Sequence, residues 1–280
     1  MIKAEIIKDS VTAIYDESLK PKEASRITTW VLTYPRFIHA EFMTHRVFSR
    51  NAASSRAIPI SKMIKAVIKE PAAPVYWGAN QKGMQAATEL KGIKRWLSEK
   101  VWYASRYLAV AIAYTMYKLG LHKQIANRVL EPWSHMTVIA TVTDMGNFFK
   151  LRAHRDAQPE FQELAYKMLE AYNKSVPQIL TPGEWHIPFD EKLDQFTEAD
   201  KIRIATARCA RVSYLTFDGK INYEEDLKLH NRLSESGHWS PFEHCAMAQP
   251  GKRFGNFVGW KQYRKFFSNE NASDPRINQG

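Results

Sequence analysis

Between Glu41 and Ile60 the chain reads Glu-Phe-Met-Thr-His-Arg-Val-Phe-Ser-Arg-Asn-Ala-Ala-Ser-Ser-Arg-Ala-Ile-Pro-Ile. Arg46, Arg50 and Arg56 are spaced through small and hydroxylated residues, and Pro59 closes the stretch. Small residues let a ligand approach the backbone. Hydroxyls and guanidinium groups supply donors, and the planar guanidinium fork matches a phosphate. The chemistry is that of an anion cradle, although composition alone favours the plainer alternative of a solvated polar loop after a helix.

Three further clusters carry reactive side chains: Leu151 to Gln162, Ala210 to Tyr214, and Gly237 to His244. In the first, Arg152 follows the apolar residues Phe148, Phe149 and Leu151, so a half-buried guanidinium needing an anionic partner is expected, whereas His154, Arg155 and Asp156 read as a solvated face. In the last, His238, Glu243 and His244 are close together, but their spacing is not His-Glu-x-x-His, so no metal site is expected. Ser240, Pro241 and Glu243 there fit the N-cap, N1 and N3 positions of a helix start. Such a start can still receive a ligand at its free N–H groups. The chain has no Gly-x-Gly-x-x-Gly, P-loop or Gly-x-Ser-x-Gly, and Cys209 and Cys245 lie in no nucleophile context and read as small core residues.

The elements that must position these clusters follow from periodicity. Residues 1–9 alternate and Arg26 to Thr33 is rich in β-branched and aromatic residues, predicting two strands. A helix is expected from Pro35 to Arg46, a short one over Ile60 to Ile68, and a long one, or two in line, over Met84 to Leu119. Further on, the pattern predicts a helix over Gln124 to Leu130, a strand over Met136 to Val142, a helix from an Asp144 cap to Arg152, and another over Glu160 to Asn173. Residues 181–200 are loop-rich and form the natural joint. Helices then resume at Asp200 to Ala210 and Tyr223 to Ser236, the second ending at Gly237, and residues 268–280 read as a flexible tail.

Composition sets the class. The 280 residues are 45% hydrophobic with 8 Trp, enough for a sizeable core and too apolar for global disorder. The net charge of +11 suits nucleic acid, anionic surfaces or phosphorylated small molecules. No apolar run has the length of a membrane span, the N-terminus does not read as a signal peptide, and two cysteines are too few for a disulfide framework, so a cytoplasmic setting is the expectation.

Together the four clusters resemble the flavin-dependent thymidylate synthases, the ThyX family. The family motif of Arg-His-Arg, seven residues, Ser, any residue, Arg is matched by Thr44-His45-Arg46, Val47 to Ala53, and Ser54-Ser55-Arg56. Asn147-Phe148-Phe149-Lys150-Leu151-Arg152 to Ala157-Gln158-Pro159-Glu160 is similar to a second family segment, and Ala210 to Ser213 and Gly237 to His244 to a third and a fourth. In the usual family member the last two precede the Arg-His-Arg motif; here they follow it. The chain therefore resembles a circularly permuted, phage-type member. Cys245 to Phe267 looks like a degraded second copy of the strand and helix leading into the motif, with Arg264 and Lys265 at the Arg-His positions.

The resemblance implies one catalytic domain over residues 1–280 with an α/β (α+β), ThyX-like fold: an antiparallel sheet flanked by long helices, circularly permuted, with residues 181–200 as the permutation joint. It implies that His45, Arg46, Asn147, Ser213, Ser240 and Glu243 contact FAD. Ser54, Ser55, Arg56, Arg128 and Arg152 would hold a nucleotide, with Ser54, Arg56 and His238 nearest the chemistry. The implied reaction is reductive methylation of dUMP to dTMP, with methylenetetrahydrofolate as carbon donor and NADPH as reductant. The implied assembly is a homotetramer, with Met84 to Leu119 as a candidate interface. The chain departs from the family at Thr44, where the motif has Arg, at Glu41 and Ala52, where Gln and Glu are usual, and at Asn127-Arg128, where an arginine stands one place late. Arg264 is expected to replace the missing cation at Thr44. Two other readings stand beside this one: C5 methylation or hydroxymethylation of another pyrimidine nucleotide, and a basic nucleic-acid-binding protein on a decayed enzyme scaffold.

Overall fold

The computed structural model describes residues 1–15, 21–214 and 222–271. The chain opens with two long strands, β1 (Lys3–Tyr15) and β2 (Pro21–Pro35), paired antiparallel from Lys3 opposite Thr33. The helix expected over 35–46 is shorter: a 3-10 turn (Arg36–Ile38) and α1 (His39–Phe42). Next comes β3 (Ser49–Ala52), so the arginine-rich stretch is partly a strand and not a free loop. Helices α2 (Ile60–Lys69) and α3 (Gly92–Lys118) follow. The expected helix from Met84 begins only at Gly92; residues 79–91 form turns, pinned by a bridge between Gly78 and Glu89. The helix expected over 124–130 is a single turn, α4 (Lys123–Ala126), and then a 3-10 stretch (Asn127–Trp133) that contains Pro132. Pro132 has no N–H to continue an α-helical ladder.

β4 (His135–Val142) lies between β2 and β3, giving a five-stranded sheet in the order β3-β4-β2-β1-β5, where β5 (Gln178–Ile179) joins β1 in parallel. Ahead of β5 come α5 (Gly146–Arg152) and α6 (Pro159–Lys174). Beyond it lie β6 (Trp185–His186), α7 (Glu198–Tyr214) and α8 (Tyr223–Glu235). A hairpin of β7 (Ala246–Phe254) and β8 (Phe257–Gln262) then pairs with β6 in a second sheet, β6-β7-β8.

The first sheet is covered on both faces, which explains why β4 is buried at nearly every position. Trp30, Leu32 and Tyr34 of β2 and Val138, Ala140 and Val142 of β4 pack with Phe148, Phe161, Leu164 and Met168 of α5 and α6. On the opposite face Ile139 meets Cys209 and Val212 of α7, together with Phe189. The mixed α/β architecture with a largely antiparallel sheet is the expected one, and both cysteines are buried and free.

Two further features join distant parts of the chain. At Gly259 the backbone of β8 has φ +77°, and a Cβ there would lie 2.5 Å from the Cβ of Ser25, so the hairpin meets β2 at a point only glycine allows. In the interior a chain of hydrogen bonds runs from Ser10 to His186 (2.9 Å), Thr29 (2.8 Å), Thr141 (2.7 Å) and His244 (2.9 Å), and all five residues are fully buried. No helix among the described residues is long and apolar enough to cross a membrane.

Candidate functional site

Packing brings the sequence clusters to the β3 edge of the first sheet. β3 carries the Arg-rich motif onto β4. The 3-10 turn Ser240–Glu243 packs against both β3 and α7, and α7 packs against β3 and β4. Thus the first, third and fourth clusters share one neighbourhood, and the second joins them through Arg152.

His45 is buried, with its ring edge-on to Phe148 (centroids 5.2 Å apart) and Phe161 (5.8 Å). Arg152 at the end of α5 donates Nε–H to His45 Nε2 at 2.8 Å, forms an ion pair with the carboxylate of Glu41, and lays its guanidinium over the Phe161 ring at 4.8 Å. An arginine only donates, so His45 Nε2 must accept and the imidazole proton resides on Nδ1. Burial, then the charges of Arg152 and Arg50, push the His45 pKa down to about 4, which keeps the ring neutral. The anionic partner expected for Arg152 is therefore present, and it is Glu41.

The other arginines of the motif divide sharply. Arg50 is turned inward: its Nη1 donates to the carbonyls of Phe42 (2.7 Å) and His45 (3.0 Å), so it braces the turn that presents His45. Arg46 and Arg56 are exposed and form no ion pair or hydrogen bond with the described residues. Thr44 is exposed and returns its hydroxyl to the Glu41 carbonyl at 2.7 Å. Ser54 is half-buried, and the buried Ser55 offers its carbonyl to Asn127 Nδ2 at 2.8 Å. Asn127 also bonds the Ile58 carbonyl at 2.9 Å, and Lys123 bonds that of Ala57 at 3.1 Å. The segment after the motif is thus fastened from α4 and the 3-10 turn behind it. Arg128, one place on, is exposed and reaches only Glu131, at 3.0 Å.

In the fourth cluster the expected capping box does not form. Trp239, not Ser240, occupies the cap position, no side chain caps the turn, and Glu243 is instead paired with Arg264. Arg264 also bonds Glu270 at 3.1 Å, and Lys265 bonds Glu270 at 3.0 Å. Arg264, expected to replace the missing cation at Thr44, is here the counter-ion of Glu243 in the fourth cluster. The helix implied by the second copy within Cys245 to Phe267 is also absent: residues 257–266 are β8 followed by one 3-10 turn. His238 and Ser240 are exposed; the His238 ring bonds Ser236 at 2.8 Å. Asn147 is exposed in the first turn of α5. Ser213 belongs to α7, and its side chain lies outside the described residues, as does the tail from 272 to 280. Arg211 in the same motif pairs with the buried Asp226 at 2.9 Å.

Three contributors were not evident from sequence. Asn256, in the turn of the β7–β8 hairpin, donates to the Val47 carbonyl (2.9 Å), and both Asn256 and Gln262 donate to Ser49 Oγ (3.2 and 3.0 Å). Phe161 forms the aromatic floor under Arg152. Among the described residues no group of three or more His, Cys, Asp or Glu could hold a metal ion.

These positions define a class of protein before any relative is considered: a mixed α/β scaffold in which one motif stretch carries a buried, neutral histidine and two exposed arginines, Arg46 and Arg56. The chain belongs to the thymidylate synthase complementing proteins, whose family model, Thy1, matches residues 7–178. Two motif clusters lie inside that match and two lie beyond it. Among solved structures the chain is similar to the UMP/dUMP methylase PolB from Streptomyces cacaoi bound with 5-Br UMP, at a TM-score of 0.48 and 20% identity, covering 62% of this chain and 89% of that one. It is similar also to the same methylase bound with 5-Br dUMP, at 0.48 and 19%, covering 62% and 90%. No curated protein matches the chain.

Proposed function

We propose that the chain is a flavin-dependent thymidylate synthase that converts dUMP to dTMP, with methylenetetrahydrofolate as carbon donor and NADPH as reductant. The observation that carries this reading is the separation of roles within one family motif. Arg50 is spent on carbonyls, whereas Arg46 and Arg56, in the same stretch as the neutral His45, stand exposed without partners among the described residues. Free guanidinium groups next to hydroxyls and backbone donors suit phosphate groups, Arg56 that of the nucleotide and Arg46 that of the cofactor. Among the described residues the donor set also fits FAD: Arg46 for its diphosphate, and His45, Asn147, Ser240 and Glu243 for the remaining polar edges. FAD, when bound, supplies the redox step.

The protein's own residues position and tune. Ser54 and Arg56 hold the nucleotide. Arg50 fixes the turn that offers His45, and Arg152 holds the His45 tautomer with Nδ1 as donor. His238, exposed beside the Ser240 turn, places the folate or a proton-carrying water. The buried Cys209 and Cys245, whose thiols burial holds well above the usual range, take no part.

The circular order belongs to the same reading, with residues 181–200 as the joint. So does a homotetramer. On α3 the exposed residues Ile93, Leu97, Val101, Leu108 and Ile112, with Leu119 just beyond, fall in steps of four, four and three once Ala104 and Thr115 are included. An eleven-residue repeat of this kind keeps an apolar stripe straight along a helix and suits pairing with a second copy.

A second reading, C5 modification of another pyrimidine nucleotide, is favoured by one observation: Glu41, in place of the usual Gln, stands on Arg152. The purified protein's visible spectrum tests both readings, which fail together if no flavin co-purifies or can be added back. Given flavin, the product from dUMP or dCMP with methylenetetrahydrofolate and NADPH is identified by mass. A hydroxymethylated product, or turnover of dCMP alone, excludes the first reading.

A further inference from the structure

A second, unassigned hollow of about 300 Å³ lies at the start of α6, open to solvent. Phe37, Tyr76 and Trp102 supply aromatic rings to its wall, and Pro74, Pro132 and Pro159, which have no N–H to donate, complete the apolar part. Trp102 is fixed in place: its indole Nε1 donates to the Ala72 carbonyl at 3.0 Å, and the Phe37 ring lies edge-on to it with centroids 6.3 Å apart. Set among these rings is Glu160, only 4% exposed. Its carboxylate accepts the Val75 N–H on Oε1 (2.8 Å) and the Gln158 amide on Oε2 (3.1 Å). Both donors are uncharged, and no described residue forms an ion pair with Glu160. The arginines near these residues in the chain are committed elsewhere. Arg36, beside Phe37, donates to the Ala53 carbonyl at 2.9 Å, and Arg95, about two helical turns before Trp102, is paired with Glu89.

We propose that this hollow is a binding site for an organic cation, a guanidinium or alkylammonium head carried on an apolar stem. A buried carboxylate with no counter-ion bears a desolvation cost that an incoming cation offsets. The faces of aromatic rings attract the same charge, and more strongly where water is excluded. A carboxylate accepts at about four lone-pair sites, so the two N–H groups already on Glu160 leave about half of them for donors of the ligand. The stem packs on the rings and prolines. An anion meets the opposite conditions, a like charge and a wall of prolines without donors, so the phosphate-bearing ligands suited to Arg46 and Arg56 are turned away here. An uncharged apolar molecule could fill the hollow, but it would leave the carboxylate unanswered. The volume is at the lower end of small-molecule sites and suits a head group with a short stem. Such a cation has two sources: a free aliphatic amine or guanidine, or a lysine or arginine side chain of a second copy of this chain.

Saturation-transfer NMR of the full-length protein at constant ionic strength tests this with three probes: butylammonium, propylguanidinium and the uncharged n-butanol. The two cations are expected to bind with dissociation constants of about 1 mM, and n-butanol roughly tenfold more weakly. Glu160→Gln keeps an oxygen for the Val75 N–H and should weaken both cations about tenfold while leaving n-butanol unchanged. Tyr76→Leu leaves the carboxylate in place and should weaken the cations about threefold. Thermal melts establish that each variant is folded, and Tyr76→Leu together with the n-butanol comparison decides the matter if Glu160→Gln is not. Sedimentation velocity separates the two sources. If a second copy supplies the cation, the probes and Glu160→Gln both reduce self-association; if a free amine or guanidine does, the sedimentation coefficient is the same with and without probe. The proposal is overturned if n-butanol binds as tightly as butylammonium, or if the folded variants bind the cations undiminished. It is overturned equally if neither cation binds and Glu160→Gln sediments as the wild type does.

Discussion

The motif stretch from Thr44 to Arg56 and the C-terminal segment from Ala246 to Glu270 have similar basic residues in opposite states. In the first, two of three arginines face solvent with no partner among the described residues, and the third is spent on carbonyls. In the second, Arg264 and Lys265 are both matched to carboxylates, and Asn256 and Gln262 reach across to hold Val47 and Ser49 of the first. An unpaired cation retains its full electrostatic value for an incoming anion, whereas a paired one contributes to the frame. On the proposed reading one segment is the working surface and the other its support, although the sequence of the second resembles a worn copy of the first.

The largest expected effect that could break this comparison is on ligand binding. Arg56→Ala should weaken dUMP binding roughly 100-fold, read by titration calorimetry, with an unchanged melting temperature. A large loss of stability would mean that Arg56 belongs to the frame. Next is Gly259→Ala. It forces a left-handed backbone and a clash with Ser25, and should destabilise by roughly 2–4 kcal/mol in denaturant melts while dUMP affinity of the folded fraction holds. Smaller again is the ion-pair network. Arg264→Ala strips two partly buried carboxylates and should cost about 1–2 kcal/mol, against about 0.5 kcal/mol for Lys265→Ala, which leaves Glu270 with Arg264. Equal effects would remove the case for Arg264 as the keystone of the support.

The mildest is a pH effect. His45 and His244 are held neutral, with pKa values lowered from 6.5 to about 4 and about 3, chiefly by burial. In the unfolded chain they take up protons as the pH falls through about 6.5, and in the folded chain they do not. Stability should thus be level above pH 7 and decline between about 6.5 and 4. In His45→Asn the part of that decline due to His45 should vanish, as followed by melting temperature against pH.

Much of this arrangement was legible in the residues. Alternation in β1 and β2 and the apolar period of α6 and α8 are local signals, and local signals survive folding. The need of Arg152 for an anion followed from the phenylalanines before it. The failures are non-local. The Ser240–Glu243 pattern reads as a cap until Arg264, 21 positions away, takes the glutamate. Residues 257–262 resemble a helix in the family, yet Phe257, Trp260 and Gln262 are buried against β2 and Ser49, and tertiary packing makes them a strand. Arg50 looks like Arg46 and Arg56 in the sequence. Only the carbonyls gathered around it separate a brace from a binding group.

The buried hydrogen-bond chain from Ser10 to His244 has a consequence for how the protein is made. Its members come from the first strand, the middle of the sheet and the last third of the sequence. Ser10, Thr29 and Thr141 emerge early in synthesis, and their partners His186 and His244 emerge late. Until then the hydroxyls must stay hydrated, because an unpaired buried polar group is costly. The sheet therefore completes its second face only when the segments carrying His186 and His244 dock. It waits, wet on that side, for the C-terminal third to arrive, which makes the final docking the step that dries the interior and the point at which an unfinished chain is most open to aggregation or proteolysis.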